Sequence, residues 1–147
     1  MSRRSDQRLT LDNLGFLLAK AGQRWNELLH AEFVAAGFDE VRPAYGSLLI
    51  PLYEEDGLRQ GELARRSRLS KQTLTTMTRA LERDGLIERR PDPADARATL
   101  IFLTDRAREL RPVAERILAE LDDRVAAATG KTSQAALKRA LRTLAGL

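Results

Sequence analysis

Apolar residues recur every three to five positions through the first part of the chain. This spacing is typical of an amphipathic helix and predicts one over residues 12–35, which Gly37 should end. Its apolar stripe consists of Leu14, Leu17, Ala21, Trp25, Leu28 and Phe33. A shorter helix is predicted between Pro43 and Gly57, and Pro51 inside it should kink or shorten it. The apolar positions of this second helix are Leu48, Leu49 and Leu52.

The next segment predicts a pair of short helices separated by a turn. The first helix contains Leu63 and Ala64, and the second spans residues 71–83 with Ser70 as its N-cap. The pair has the spacing of a helix-turn-helix, and a small alanine stands where the two helices must approach each other. Many such motifs have glycine in the turn. This chain has Arg68 there, so a turn of different shape is expected.

The second helix of this pair has one apolar face and one polar face. The apolar face consists of Leu74, Met77 and Leu81. The polar face consists of Gln72, Thr75, Thr76, Arg79 and Arg83. A solvated helical face is the alternative, but such a face usually mixes acids with lysines, and here the first acid is Glu82. Amides, hydroxyls and guanidinium groups read base edges and phosphates, so the pattern favours a DNA recognition helix.

Alternation typical of β-strands occurs at one place, around the segment "RRPDPADARATLIFLT", residues 89–104. Two strands joined as a hairpin are predicted, with inward positions at Ile87, Leu100 and Phe102. Pro91 and Pro93 should stiffen an exposed loop between the strands, and Arg97 should project from that loop. We expect Asp95 to hold the Arg97 guanidinium by a charge-assisted hydrogen bond. The alternative is an ordinary solvated pair on a loop.

Two further helices are predicted after the hairpin. Thr104 should cap a helix that kinks at Pro112 and ends near Gly130. Its apolar stripe consists of Leu110, Val113, Ile117, Leu121 and Val125. A last helix is predicted after Ser133, with apolar positions at Leu137, Leu141 and Leu144. The chain of 147 residues has no internal repeat or low-complexity linker, so one domain over residues 1–147 is expected.

The net charge of +4 is concentrated in the centre of the chain. Residues 59–90 carry +5, whereas residues 1–58 and 91–147 carry −3 and +2. This bias permits a polyanionic partner and coincides with the predicted recognition helix. The charge distribution and the polar helix face therefore indicate the same partner, double-stranded DNA.

Several classes of protein are disfavoured by composition. The chain has no cysteine and one histidine, which excludes disulfides and thiol chemistry and leaves poor ligands for zinc, so no metal or cofactor is expected. No apolar run approaches the roughly 20 residues that cross a bilayer, and the start lacks a signal-peptide pattern; a cytoplasmic protein without membrane contact is expected. An enzyme is the competing class. The lone histidine has no nucleophile partner, the carboxylates are scattered, and no glycine-rich phosphate loop occurs.

The run "LERDGLIERRPDPADARATLIFLT" resembles the wing region of the MarR family, the multiple antibiotic resistance regulators. The most specific part is the D-x-R-A element, Asp95 to Ala98, followed by "IFLT". The resemblance extends from the first predicted helix through the last. It implies an α+β, mostly helical fold with a winged helix-turn-helix lobe over residues 42–104. It also implies a homodimer held by helices within residues 10–36 and 105–147.

The resemblance implies a role for Arg97 in the DNA minor groove, while the recognition helix enters the major groove. Pro51 departs from the family pattern within the second helix. The missing cysteine excludes the thiol-oxidation sensing that some relatives use. We expect a dimeric, sequence-specific transcriptional regulator, a repressor released by a small-molecule effector, that binds a pseudo-palindromic operator. The expected DNA-contacting residues are Ser70, Lys71, Gln72, Thr73, Thr75, Thr76, Arg79, Arg90, Asp95 and Arg97.

Two questions stay open at this point. Relatives bind small aromatic or anionic molecules between the dimer helices and the DNA-binding lobe. The candidate residues for such a site are Trp25, His30, Tyr45 and Tyr53, and core packing is the alternative role for these side chains. The alternative function is a winged-helix module that binds protein rather than DNA, which would need apolar anchors on the recognition face.

Overall fold

A computed structural model describes residues 9–146. Residues 1–8 and 147, which belong to the predicted single domain, lie outside the described residues. The helices are α1 (Leu14–Ala35), α2 (Gly46–Glu54), α3 (Gln60–Ser67), α4 (Lys71–Arg83), α5 (Asp105–Thr129) and α6 (Lys131–Ala145), and a 3-10 turn, Pro43–Tyr45, precedes α2. The strands are β1 (Leu58–Arg59), β2 (Ile87–Asp92) and β3 (Asp95–Leu103). The predicted α+β, mostly helical winged helix-turn-helix class is confirmed.

Helix α1 ends where the sequence predicts. Gly37 has φ +85°, and the Phe38 N–H donates to the Phe33 carbonyl at 2.8 Å, so the chain reverses in a left-handed turn. Helix α2 continues through Pro51 to Glu54 and buries Leu48, Leu49 and Leu52. These leucines form one core with apolar residues of α1, α3, α4, α5 and the sheet.

The helix-turn-helix is formed by α3 and α4. Arg68 between them has φ 55° and ψ 37°, the left-handed conformation that glycine usually supplies. The expected difference in turn shape is therefore wrong, because the arginine backbone adopts the glycine geometry at a cost of about 1 kcal/mol. The Arg68 guanidinium donates to the carbonyls of Ala145 and Gly146, each at 2.6 Å. Ser70 is the N-cap of α4 as predicted, since its hydroxyl accepts from the Thr73 N–H.

The sheet has three antiparallel strands in the order β1-β3-β2. The sequence predicts only a two-stranded hairpin and misses the third strand, β1. In this strand Leu58 pairs with Ile101 and Arg59 pairs with Leu100. Gly57 precedes this strand with φ +69°, and a Cβ there would lie 2.7 Å from the Phe102 ring. Only glycine fits at this position without moving the ring.

The residues of β3 that face the core are not the ones predicted. Ile101 and Leu103 are buried against the core, whereas Leu100 and Phe102 are half-buried on the other face. Ile87 points inward as expected. Phe102 is covered by the Arg90 guanidinium, 4.3 Å from the ring centroid, so the outer face also has an apolar contact.

The predicted long loop is a tight hairpin. Strand β2 continues through Pro91 to Asp92, and β3 begins at Asp95, so only Pro93 and Ala94 lie between the strands. Arg97 is consequently a residue of β3 and not of a loop. We call this hairpin, residues 87–103, the wing.

Helix α5 begins at the predicted cap and ends at the predicted position. The Thr104 hydroxyl accepts from the Ala107 N–H and donates to the Gly85 carbonyl. The helix passes through Pro112 and ends before Gly130. Helix α6 begins at Lys131, before the Ser133 position expected, and has no buried residue. Within residues 9–146, no helix combines the length and apolar character that crossing a membrane requires.

Candidate nucleic-acid interface

The outer face of α4 is polar and solvent-exposed. Leu74, Thr78 and Leu81 are buried against the core, whereas Gln72, Thr76 and Arg79 are exposed. Met77 packs partly against the same core, so the predicted division of the helix into two faces is confirmed. The side-chain amide of Gln72 makes no hydrogen bond with any residue of 9–146, which leaves its donor and acceptor free for a ligand.

The threonine hydroxyls of α4 donate back to the helix. Thr75 Oγ1 donates to the Lys71 carbonyl at 2.8 Å, and Thr76 Oγ1 donates to the Gln72 carbonyl at 3.1 Å. Each hydroxyl has one hydrogen, so both threonines face a partner as acceptors. Thr75 is half-buried and also accepts from Gln60 Nε2 at 3.4 Å. Of these two hydroxyls, Thr76 is therefore the more accessible.

Most basic side chains near α4 are already paired. Arg65, Arg66, Arg83, Arg89 and Arg90 each lie within 3.3 Å of a carboxylate oxygen. Within residues 9–146, neither Lys71 nor Arg79 forms an ion pair. Arg65 and then Arg66 hold the pKa of the Glu62 carboxyl at about 2, so this acid remains charged and neutralises part of the local positive charge. Lys71 and Arg79 on α4 are therefore cations without a carboxylate partner among the described residues.

Arg97 is the most exposed of the predicted DNA-contacting residues on the wing, with 97% of its side chain open to solvent. The expected hydrogen bond from its guanidinium to Asp95 is wrong. Nε lies 4.0 Å from Asp95 Oδ1, and that oxygen instead accepts the Arg97 backbone N–H at 3.0 Å. The guanidinium therefore makes no hydrogen bond with Asp95 and only a long ion pair, and its donors are exposed to a partner.

Three other predicted contact residues are already engaged within the chain. The hydroxyls of Ser70 and Thr73 lie 2.9 Å apart, and Ser70 also caps the helix. Arg90 pairs with Glu88 and covers Phe102. The structure thus groups Lys71, Gln72, Thr76 and Arg79 on one exposed helix face and gives Ser70, Thr73 and Arg90 intramolecular contacts.

Two residues that the sequence analysis missed lie beside the wing. Arg59 and Gln60 line a shallow groove whose opposite wall contains Arg97, Ala98 and Thr99. They lie at the end of β1 and the start of α3, and no sequence pattern marks a strand of two residues. The basic bias of residues 59–90 was the one signal that included them.

Tyr45 positions the end of the recognition helix. Its side chain is buried, and its hydroxyl donates to Asp84 Oδ2 at 2.5 Å. Asp84 is the C-cap of α4. The Tyr45 hydroxyl, together with Arg83, lowers the pKa of the Asp84 carboxyl, whereas burial raises the pKa of Tyr45. The bond therefore links an ionised carboxylate at the helix end to the turn before α2.

We expect Tyr45→Phe to destabilise the fold by about 1.5 to 3 kcal/mol at pH 7, the range for a hydrogen bond to a charged group. Since the folded pKa of Asp84 is lowered, this contribution is present above the unfolded pKa, about 3.9, and is lost as the pH falls through the folded value. Urea unfolding at pH 7 and at a pH below the folded pKa of Asp84 measures the change. Tyr53→Phe is the control, because Tyr53 donates to the Ala107 carbonyl, which does not titrate in this range. An equal pH dependence in both variants would contradict the assignment.

The four candidate effector residues do not surround one cavity. Tyr45 is core, and Tyr53 is half-buried, with a pKa raised to about 12 by burial. Trp25 packs against the core. Only His30 borders the open groove along α1, where its buried Nδ1 has no hydrogen-bond partner within residues 9–146. Both tyrosines and the tryptophan therefore pack within the fold, as the alternative role for these side chains expects.

Comparisons with known proteins give one consistent result. Residues 43–99 match the family model described as the MarR family. The chain is 30% identical over 131 residues to the HTH-type transcriptional repressor Rv2887 of Mycobacterium tuberculosis strain H37Rv, which covers 89% of this chain and 92% of that protein. It is 42% identical over 69 residues to the HTH-type transcriptional regulator TtmR of Methylorubrum extorquens strain PA1. This second match covers 47% of this chain and 35% of TtmR.

The fold is also similar to solved structures. The transcriptional repressor CouR, bound to a 23-mer DNA duplex, superimposes with a TM-score of 0.78 and 28% sequence identity. The superposition covers 94% of this chain and 99% of CouR. The arrangement of helices and wing described above therefore extends over nearly the whole length of a DNA-bound repressor.

Proposed function

Because this chain belongs to the MarR family, whose matched members are transcriptional regulators and not enzymes, we propose that it binds double-stranded DNA sequence-specifically and represses transcription. One observation carries the proposal. The exposed face of α4 holds an amide and cations without partners among residues 9–146, and the adjacent wing extends an arginine that is 97% exposed. Groups of this chemistry read the major groove, while an arginine is favoured in the minor groove by its negative potential.

The domain organisation that we propose follows the element order. Residues 42–104, from the turn before α2 to the end of β3, form the DNA-binding lobe. Helices within residues 10–36 and 105–147 form the dimer interface. The support is a set of large apolar side chains on α1 and α6 that remain exposed among residues 9–146, which includes Leu14, Leu17, Leu137, Leu141 and Leu144. A two-fold dimer would present two recognition helices to half-sites roughly 10 base pairs apart, so the operator should be pseudo-palindromic.

We place a small-molecule effector in the groove along α1. His30 lines it together with Leu18, Ala19, Gly22, Gln23, Asn26, Glu27 and Pro43. The mostly apolar lining supports an aromatic small molecule, and the Gln23 and Asn26 amides offer hydrogen-bond donors to an anionic group on it. Such a molecule should release the protein from its operator in an anisotropy titration. Release that is equally efficient in His30→Ala would contradict this location.

The alternative function is a winged-helix module that binds protein. It would need a large apolar anchor on the recognition face. Within residues 9–146, the large exposed apolar side chains lie outside α3, α4 and the wing. The composition of the face therefore favours nucleic acid.

The experiment that tests the proposed function is enrichment of bound DNA. Purified protein is mixed with fragmented genomic DNA at physiological salt, and the retained fragments are sequenced. We expect a shared pseudo-palindromic motif with half-sites about 10 base pairs apart. Recovery of fragments with no common sequence would contradict sequence-specific binding.

Gln72 and Arg79 should have different roles on α4. Gln72 lies near the N-terminus of the helix and has a free amide. Gln72→Ala should therefore reduce the binding free-energy preference for one base, at one operator position, by about 1 to 3 kcal/mol. Arg79 lies further along the helix, so Arg79→Ala should weaken all sequences alike and lower the salt dependence. Titration of each variant against operators substituted at single positions separates the two. A uniform loss of affinity in Gln72→Ala would contradict base reading.

A further inference from the structure

An ion pair between the exposed Arg59 and the buried Asp92 joins the start of α3 to the wing. Asp92 is the only charged side chain that is buried among residues 9–146. Its Oδ2 lies 2.6 Å from Arg59 Nη2, and its Oδ1 accepts the Ala94 backbone N–H at 2.9 Å. One carboxylate therefore holds both the turn of the wing and the residue that precedes α3.

The wing needs this attachment because its strand pairing is irregular near the turn. The β2–β3 register is regular from Ile87 to Pro91 and shifts between Pro91 and Asp92. Backbone hydrogen bonds alone do not fix the direction of a hairpin beyond such a shift. Asp92 lies at this point, so its contacts determine how the last residues of the wing are placed.

A buried carboxylate paired with an exposed arginine contributes little to stability but constrains local geometry. Removing a carboxylate from water is costly unless it is paired and hydrogen-bonded, and Asp92 meets both conditions. The net gain over apolar residues of the same shape is small. Loss of Arg59 would leave the buried Asp92 carboxylate without its cation, whereas water can solvate Arg59, which is 53% exposed. The buried carboxylate therefore fixes where the Arg59 guanidinium lies.

The ion pair lies beside the side chain proposed to enter the minor groove. Arg59 and Arg97 line the same groove between α3 and β3. Asp95, which the sequence suggested for orienting Arg97, instead binds a backbone N–H. We propose that the Arg59–Asp92 pair is the positioning device that orients the wing and with it Arg97; this inference rests on the proposed DNA-binding function.

The first test is Asp92→Asn. Asparagine keeps an oxygen that accepts the Ala94 N–H, so the turn is retained while the ion pair is lost. Removing a negative charge strengthens DNA binding if long-range electrostatics alone act. Misplacement of Arg97 should instead weaken operator binding by about tenfold. Glu109→Gln, a charge removal at an exposed position of α5, is the matched control and should leave the affinity unchanged or higher.

The decisive measurement is a double-mutant cycle on operator affinity. Arg97→Ala should cost roughly tenfold less affinity in the Asp92→Asn background than in the wild type, since the misplacement has already removed that part of the arginine's contribution. Gln72→Ala should cost the same in both backgrounds. Additive effects of Asp92→Asn and Arg97→Ala would overturn the inference.

Substitutions of the partner residue repeat the test without altering the buried carboxylate. Arg59→Met should show the same coupling to Arg97→Ala, and Arg59→Lys should restore most of the affinity because the pair is made through one nitrogen. Equal losses in Arg59→Met and Arg59→Lys would contradict the positioning role. Wild-type protein that binds no enriched DNA would overturn the proposed function itself, and this inference with it.

Discussion

Arg97→Ala should reduce operator affinity by at least about a hundredfold while leaving the fold intact. A charge-assisted hydrogen bond is worth about 1.5 to 3 kcal/mol, and a dimer loses two such contacts. The side chain is 97% exposed and lies 4.0 Å from its nearest carboxylate, so its removal costs the folded chain almost nothing. Fluorescence anisotropy at fixed salt, together with a thermal melt, measures both quantities.

Two companion variants define what Arg97 does. Arg97→Lys should recover only part of the affinity, because an ammonium meets the negative potential but lacks the planar array of donors. Asp95→Ala should have a small effect, since its carboxylate holds a backbone N–H and not the guanidinium. Unchanged affinity in Arg97→Ala, with an unchanged melt, would refute the minor-groove role.

We expect Leu141→Glu to convert the proposed dimer to a folded monomer. In the single chain this leucine is 41% exposed, and α6 has no buried residue, so the substitution leaves the intramolecular core untouched. In the proposed dimer the glutamate would be buried without a partner in both protomers. Each uncompensated charge costs several kcal/mol, so the dissociation constant of the dimer should rise at least about a hundredfold.

Sedimentation at micromolar concentration measures this change. Thr143→Glu is the matched control, because it introduces the same charge on α6 outside the leucine stripe. The monomeric Leu141→Glu protein should also lose operator affinity, since it presents one recognition helix in place of two. A wild-type chain that sediments as a stable folded monomer would contradict the proposed interface.

Helix limits could be predicted from the sequence because local chemistry sets them. Gly37 supplies a left-handed turn, and Ser70 and Thr104 supply hydroxyls that accept helix N–H groups. Strand β1 could not be predicted, because two residues show no alternation and their pairing with β3 is a long-range event. The sequence also did not show which residues of β3 face inward. The segment "LIFL" is apolar at every position, so it lacks the alternation of polar and apolar residues that would distinguish the two faces.

The sequence predicts a hairpin at the wing but not the short turn between its strands. Its prolines and acids indicate a loop, yet β2 is an edge strand, where a proline is tolerated, and the pairing continues through Pro91 to a register shift before Asp92. The strands consequently extend to a turn of two residues. The role of Asp92 could not be predicted because its partner, Arg59, is far away in sequence. Asp95 is only two residues from Arg97 and was therefore the nearer candidate for orienting its guanidinium. Its Oδ1 instead accepts a hydrogen bond from the Arg97 backbone N–H.

Direct titration of wild-type protein against its enriched operator and a scrambled duplex of equal length and composition is the most direct test of sequence-specific DNA binding. Both duplexes are measured at the same physiological salt concentration, because phosphate contacts make every affinity salt-dependent. We predict binding to the operator at least about a thousandfold tighter than to the scrambled duplex, with two protomers per operator. Equal affinity for the two duplexes, or no binding to either, would contradict sequence-specific DNA binding.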